Sequence, residues 1–76
     1  MEIRRTAHFR AEQEADGITE EEIAWSWNAP DVDLESQDHP GARVRTATQP
    51  DGSKVTVVAR QTRTELTLIT TWRQEA

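Results

Sequence analysis

The sequence predicts an α+β domain in which two short N-terminal helices pack on an antiparallel sheet of about four strands. Two observations predict this order. A strong helix-start signal stands before residue 20, and from Pro30 onward apolar and polar residues alternate between turn residues. Because the chain has 76 residues and no linker-like stretch, we expect residues 1–76 to form a single domain.

The first helix is predicted over residues 7 to 16. Thr6 is suited to cap it, because its hydroxyl can accept from a first-turn amide, and Gly17 can take the left-handed conformation that ends a helix. Its narrow apolar stripe, which predicts close packing on the sheet, consists of Ala7, Ala11 and Ala15. The preceding "MEIRR" is interpreted as a short strand or an arm.

The second helix has the clearest start in the chain. In "ITEEEI", Thr19 and Glu22 have the spacing of a capping box, while Ile18 and Ile23 have that of a hydrophobic staple. The helix is therefore predicted to run over residues 20 to 28, before Pro30.

Two tryptophans of this helix lie two residues apart, roughly 200° around its axis. They cannot share one buried stripe. Trp27, one turn after Ile23, is predicted to lie in the core, and Trp25 is predicted to contact a partner.

The alternating half predicts strands over about residues 31–36, 42–49, 54–61 and 65–73. "QPDGS" predicts a tight hairpin turn with Pro50 and Gly52. Strict alternation predicts a helix-covered face made of Val44, Val55, Val57, Leu66, Leu68 and Trp72. It predicts an open face made of Arg43, Arg45, Thr56, Val58, Arg60, Ile69, Thr71 and Arg73.

Composition excludes several classes of function. The chain has no cysteine, no tyrosine, no glycine-rich phosphate loop and no nucleophile elbow, so we expect neither a metal nor a cofactor. No apolar run is longer than "TVVA", so no signal peptide or membrane span is expected, and a cytoplasmic location fits best. Residues 1–39 carry three arginines against eleven acids and residues 40–76 six basic residues against three acids, so only a local basic patch could meet RNA.

Two groups of polar residues could carry chemistry. His8, Glu12 and Asp16 follow one another at four-residue spacing, so His8 is either a general acid or base oriented by Glu12 or an exposed ion pair. The second group comprises the basic residues of the predicted strands: Arg43, Arg45, Arg60 and Arg73, with Lys54. These side chains could bind phosphates, or they could simply form a solvated strand surface.

The order of these motifs resembles a small, mostly bacterial and phage domain family that is grouped with the RelE, ParE and BrnT toxins. The resemblance covers residues 7 to 73 and rests on an early helical histidine, "GITEEEI", a helix ending at "NAP", the loop "DHPG", and the strands "KVTVVAR" and "LTLITTWR". That superfamily has two helices on an antiparallel sheet and includes endoribonucleases of toxin–antitoxin systems, many of which act on messenger RNA.

The resemblance implies a metal-independent endoribonuclease. His8 matches the early helical histidine, Arg45 and Arg60 fall on strands that tend to carry basic residues, and Thr71, after Thr70, matches the polar pair of the last strand. Arg43, Lys54 and Arg73 would then contact RNA. Such domains usually carry basic residues one and two turns after the histidine, where this chain has Glu12 and Asp16.

The sequence leaves two functions open. The first is RNA cleavage, with RNA or the ribosome as target and a cognate antitoxin as partner. The second is a catalytically inactive protein-interaction module of the same fold, which binds through Trp25, the acidic helices or an open sheet edge, with a homodimer as one outcome.

Overall fold

The computed structural model describes all residues, 1–76, and has two helices and five strands. In chain order these are β1 Glu2–Arg5, α1 Ala7–Ala15, α2 Glu20–Asn28, β2 Val32–Glu35, β3 Arg43–Thr48, β4 Lys54–Gln61 and β5 Glu65–Gln74. The α+β class and the positions of both helices are confirmed.

The local signals at the helix ends act as predicted. The Thr6 hydroxyl accepts from the Phe9 amide at 3.0 Å. Thr19 and Glu22 form both hydrogen bonds of the capping box. Gly17, between the helices, has a φ of 61°, a conformation that residues with a Cβ rarely adopt.

The prediction of about four antiparallel strands is wrong, because "MEIRR" forms a fifth strand. The sheet order is β1-β5-β4-β3-β2, and β1 pairs with β5 in parallel, with Glu2 opposite Glu65. The Glu2 amide donates to the Thr64 carbonyl and the Thr6 amide to the Leu68 carbonyl. The sheet is therefore mixed, since β1 runs in the direction of β5 while the other pairs are antiparallel.

A bulge in β5 reverses its alternation. Val58 lies opposite Thr70 and Ala59 opposite Leu68, so Ile69 is one residue more than β4 can pair. Before the bulge, Leu66 and Leu68 face the helices as predicted.

After the bulge the predicted faces of β5 are wrong. Thr71 lies opposite Val57 and Arg73 opposite Val55, so both point to the helix-covered side, whereas Trp72 points to the open side. A bulge of one residue exchanges the two faces of everything that follows it.

The predicted faces of β3 are also wrong. Arg45 lies opposite Val57 and Arg43 opposite Ala59, which places both arginines on the helix-covered side and Val44 on the open side. The physical reason is that the long arginine side chains cover apolar surface while their charged ends meet polar partners near the rim.

The core contains nine buried side chains: Phe9, Ile18, Ile23, Trp27, Val55, Val57, Ala59, Leu66 and Leu68. The prediction for Trp27 is confirmed. Helix α1 contributes Phe9 alone, which is 0% exposed.

The predicted alanine stripe of α1 is wrong, because Ala7, Ala11 and Ala15 are exposed. Phe9 lies two residues from both Ala7 and Ala11, about 200° around the helix. Burying the larger apolar side chain stabilises the fold more, so α1 turns Phe9 to the sheet and the alanines to solvent.

Candidate functional site

The structure separates the side chains that were predicted to be catalytic. His8 is exposed on α1 and has no side-chain hydrogen bond. Thr71 is 0% exposed, and its hydroxyl donates to the Thr56 carbonyl at 2.7 Å. Arg45 faces the helices, whereas Arg60 lies on the opposite side of the sheet.

The predicted row along α1 is broken at its far end. The Asp16 carboxylate turns to the sheet and accepts from the Arg73 amide at 3.1 Å. Glu12 stays on α1 without a hydrogen bond to His8. No group of three His, Asp or Glu side chains is arranged to hold a metal ion.

Arg73 joins β5 to the segment between the helices and uses all its donors there. Its Nη1 donates to Glu22 Oε2 and Ser53 Oγ, both at 2.9 Å, and its Nη2 donates to Glu22 Oε1 at 2.7 Å. The carbonyls of Gly17 and Asp16 accept from Nη2 and Nε at 3.3 and 3.5 Å. With its side chain 10% exposed and every N–H used, Arg73 has no donor left for a phosphate.

The ion pair between Arg73 and Glu22 shifts the pKa values of both groups. The hydrogen bonds from Arg73 hold the pKa of Glu22 below its usual value, although burial acts in the opposite direction. The same contact raises the pKa of Arg73. Both partners therefore stay charged inside a largely covered site.

Arg45 is held over Trp27. Its guanidinium carbon lies 4.1 Å from the Trp27 ring centroid, and its Nη1 donates to the Trp27 carbonyl at 2.9 Å. Its Nε lies 3.3 Å from Asp33 Oδ2, within ion-pair distance but without hydrogen-bond geometry. Arg43 Nε donates to Asp33 Oδ1 at 3.0 Å. Arg43 and Arg45 therefore already have an anionic partner.

Arg43 and Arg45 together lower the pKa of Asp33. Burial tends to raise its pKa, but the hydrogen bond from Arg43 and the charge of Arg45 outweigh burial and place the pKa below its usual value. This carboxylate stays ionised and holds the two cations at the β2 edge of the helix-covered side.

The helices lie on one side of the sheet and leave its other side open. Cross-strand register aligns eight uncharged side chains there in two rows, which we call the open face: Val32, Thr46, Thr56 and Trp72, and Leu34, Val44, Val58 and Thr70. Leu34 is 59% exposed, Val32 47% and Trp72 37%. Large apolar side chains thus meet solvent at both sides of the patch.

Cations stand at the two ends of the open face. On β4, Lys54 lies two residues before Thr56 and Arg60 two residues after Val58, so both project to the same side as the rows. Neither forms an ion pair. Arg60 donates only to the Pro40 carbonyl, at 3.0 Å.

The layer formed by α1 and α2 is acidic, in contrast to the cations at the ends of the open face. Residues 7–28 carry six acids against Arg10 and no other cation. Trp25 is 52% exposed in this layer and lies on the wall of an open cleft of about 560 Å³ between α2 and the turn after β3. The two exposed tryptophans, Trp25 and Trp72, therefore stand on surfaces of different charge.

The apolar character of the open face was not predicted, because strict alternation assigns apolar residues to one face of each strand only. A signal was present, because Val57 and Val58 are consecutive, as are Leu68 and Ile69. Consecutive apolar residues in a strand indicate that both faces are apolar. Combined with the bulge, this pattern places Trp72 and Val44 outside the core.

Comparison of the chain with protein-family models, with curated proteins and with solved structures gives no match. Its function must therefore be inferred from its own residues. Neither helix has the length and hydrophobicity that crossing a membrane requires.

Proposed function

We propose that this chain is a RelE/BrnT-like domain that works by binding a protein rather than by cleaving RNA, and that its open face is the docking surface. The observation that carries the proposal is the set of eight uncharged side chains, of which Val32, Leu34 and Trp72 are widely exposed. Thr56 and Val58, in the middle of the rows, are each 3% exposed, so the exposed apolar surface lies at the two sides of the open face. Exposed apolar patches on a small soluble domain mark interaction sites. An exposed tryptophan inside such a patch is the typical anchor of a protein interface.

The charges at the margins indicate the chemistry of the partner. Lys54 and Arg60 are six residues apart on one strand, which corresponds to about 20 Å. A partner with an apolar contact surface and a carboxylate near each end would bury the rows and neutralise both cations. A nucleic acid fits less well, because eight uncharged positions with one aromatic ring offer few contacts to phosphates or stacked bases.

Site-specific photo-cross-linking in cells tests this assignment. A photoreactive amino acid at Thr46 or Thr70, both half-buried within the open face, is expected to capture one protein through an apolar segment that contains Asp or Glu. The same amino acid at Ala11, exposed on α1, is the matched control and should capture little.

Affinity for the captured protein then separates the two tryptophans. Trp72→Thr should weaken binding by about thirtyfold, the loss expected for an interface anchor. Trp25→Ala removes an exposed tryptophan from the helical layer and should leave affinity unchanged. Loss of binding in Trp25→Ala alone, or cross-links from Thr46 and Thr70 only to RNA or to a second copy of the chain, would overturn the proposal.

Endoribonuclease activity is the second candidate function, and one observation favours it: Arg60 and Lys54 form no ion pair, and His8 is accessible. RNA cleavage with and without ribosomes would be compared for the parent, His8→Ala and Arg60→Ala. If the domain is a nuclease, loss of a general acid or base should lower the rate by at least about a hundredfold. The binding proposal predicts no cleavage by the parent, and cleavage that both variants retain would exclude His8 and Arg60 as its source.

A further inference from the structure

Strand β2 is an edge strand whose outer backbone groups have no strand partner. It pairs with β3 alone, and its four residues are all exposed. The Ser36 amide donates to the Ala42 carbonyl at 2.9 Å, in register with Leu34 opposite Val44. Because hydrogen-bonding direction alternates along a strand, the N–H and C=O groups of Asp33 and Glu35 point outward.

At this edge no further strand continues the rows of the open face. Both of its rows end on β2, with the half-exposed side chains of Val32 and Leu34. On the other side the rows end on Thr70 and Trp72 of β5, where the Asp16 carboxylate accepts from the Arg73 amide and the Thr6 hydroxyl donates to the Ile69 carbonyl. Only the β2 edge would therefore let a further strand extend the apolar rows.

We propose that an extended segment of the partner pairs with β2 as a sixth strand, with apolar side chains beside Val32 and Leu34 and a basic side chain beside Glu35. This inference rests on the proposed function and names how the partner binds. The backbone groups of Asp33 and Glu35 supply the hydrogen bonds, and the alternation of the added strand places its apolar residues on the open face.

The basic residue is inferred from the two acids of β2. The Asp33 carboxylate already binds Arg43 and Arg45. Glu35 projects to the same side and forms no ion pair. Arg43 lies opposite Glu35 in β3, but its Nε donates to Asp33. A lysine or arginine opposite Glu35 on the outer side would therefore find a carboxylate without an ion pair, and opposite charges in a cross-strand pair stabilise a sheet.

A second copy of this chain is a poorer occupant. Antiparallel pairing of two β2 strands about Leu34 would set Glu35 of each copy opposite Asp33 of the other, and like charges in that position are destabilising. A strand of four residues also buries far less than the roughly 1,000 Å² that a stable interface needs.

Strand addition is tested with short capped synthetic peptides in which valine alternates with lysine or with glutamate. Binding of the valine–lysine peptide should slow hydrogen exchange of the Asp33 and Glu35 amides by at least about tenfold. The Leu34 amide, which faces β3, should change little. The valine–glutamate peptide should bind at least about tenfold more weakly.

Four variants separate the backbone contribution from the charge. Glu35→Gln removes the charge and keeps the outward N–H, whereas Glu35→Pro removes both but no N–H that faces β3, a substitution that edge strands tolerate. Glu35→Pro should therefore bind the peptide about tenfold more weakly than Glu35→Gln does. Glu35→Lys should reverse the preference towards the glutamate peptide. Glu14→Lys, at an exposed position of α1 without an ion pair, is the charge control and should bind as the parent does.

The inference fails if the valine–lysine peptide does not bind, if it binds without protecting the two outward amides, or if Glu35→Pro binds as tightly as Glu35→Gln. In those cases, cross-links from Thr46 and Thr70 that depend on Trp72 would leave docking on the open face intact. If Trp72→Thr also has no effect on the captured protein, the proposed function fails as well.

Discussion

Arg73→Met is expected to lower the free energy of unfolding by about 3 kcal/mol, because breaking a mostly buried ion pair leaves its partner uncompensated. Glu22 would lose both hydrogen bonds from Arg73, and the Gly17 and Asp16 carbonyls would lose their donor. Urea denaturation followed by tryptophan fluorescence measures the loss. In a domain of 76 residues it is a large fraction of the total stability.

Arg63→Met is the matched control for this substitution. Arg63 is exposed in the turn between β4 and β5 and forms no ion pair, so its replacement should change stability by no more than about 0.5 kcal/mol. If Arg73→Met and Arg63→Met had the same effect, Arg73 would be an ordinary surface cation, and it would again be open to a role in binding RNA.

Phe9→Ala is expected to destabilise the domain by about 4 kcal/mol. Phe9 is the only buried side chain of α1, so its truncation leaves a cavity and removes the apolar attachment of that helix to the sheet. Thermal and urea unfolding of Phe9→Ala would be compared with those of His8→Ala, one residue away and exposed.

His8→Ala should stay within about 0.5 kcal/mol of the parent. The pair thus contrasts two neighbouring positions of one helix, of which one supports the fold and the other is free to serve a surface function. A loss of less than about 1 kcal/mol in Phe9→Ala would contradict the packing of α1 described above.

Local chemistry explains which parts of the fold could be predicted. The caps at Thr6 and Thr19, the glycine at Gly17 and the β3–β4 hairpin depend on residues that are close in sequence, and all were predicted. The pairing of β1 with β5 and the bulge at Ile69 depend on contacts between distant segments. A period-two pattern does not allow for an extra residue in one strand. The β5 positions after Ile69 were therefore predicted on the face opposite to the one they occupy.

The candidate site was predicted less well, because arginine is ambiguous in a strand. Arg43, Arg45 and Arg73 were predicted on the open face, but they lie on the helix-covered side with Asp33, Trp27 and Glu22 as partners. A long stem and a charged end let arginine serve either side of a sheet. Of the predicted phosphate-binding cations, Lys54 and Arg60 remain on the open side.

The pairing of β1 with β5 also constrains the order in which the domain can form. Residues 2–5 pair with residues 65–68, so a loop of about sixty residues must close before that contact forms. The β3–β4–β5 meander needs only short loops and can form earlier. During synthesis β1 therefore leaves the ribosome first but is expected to join the sheet last, and until then the β5 edge beside Leu66 and Leu68 is open to incorrect pairing.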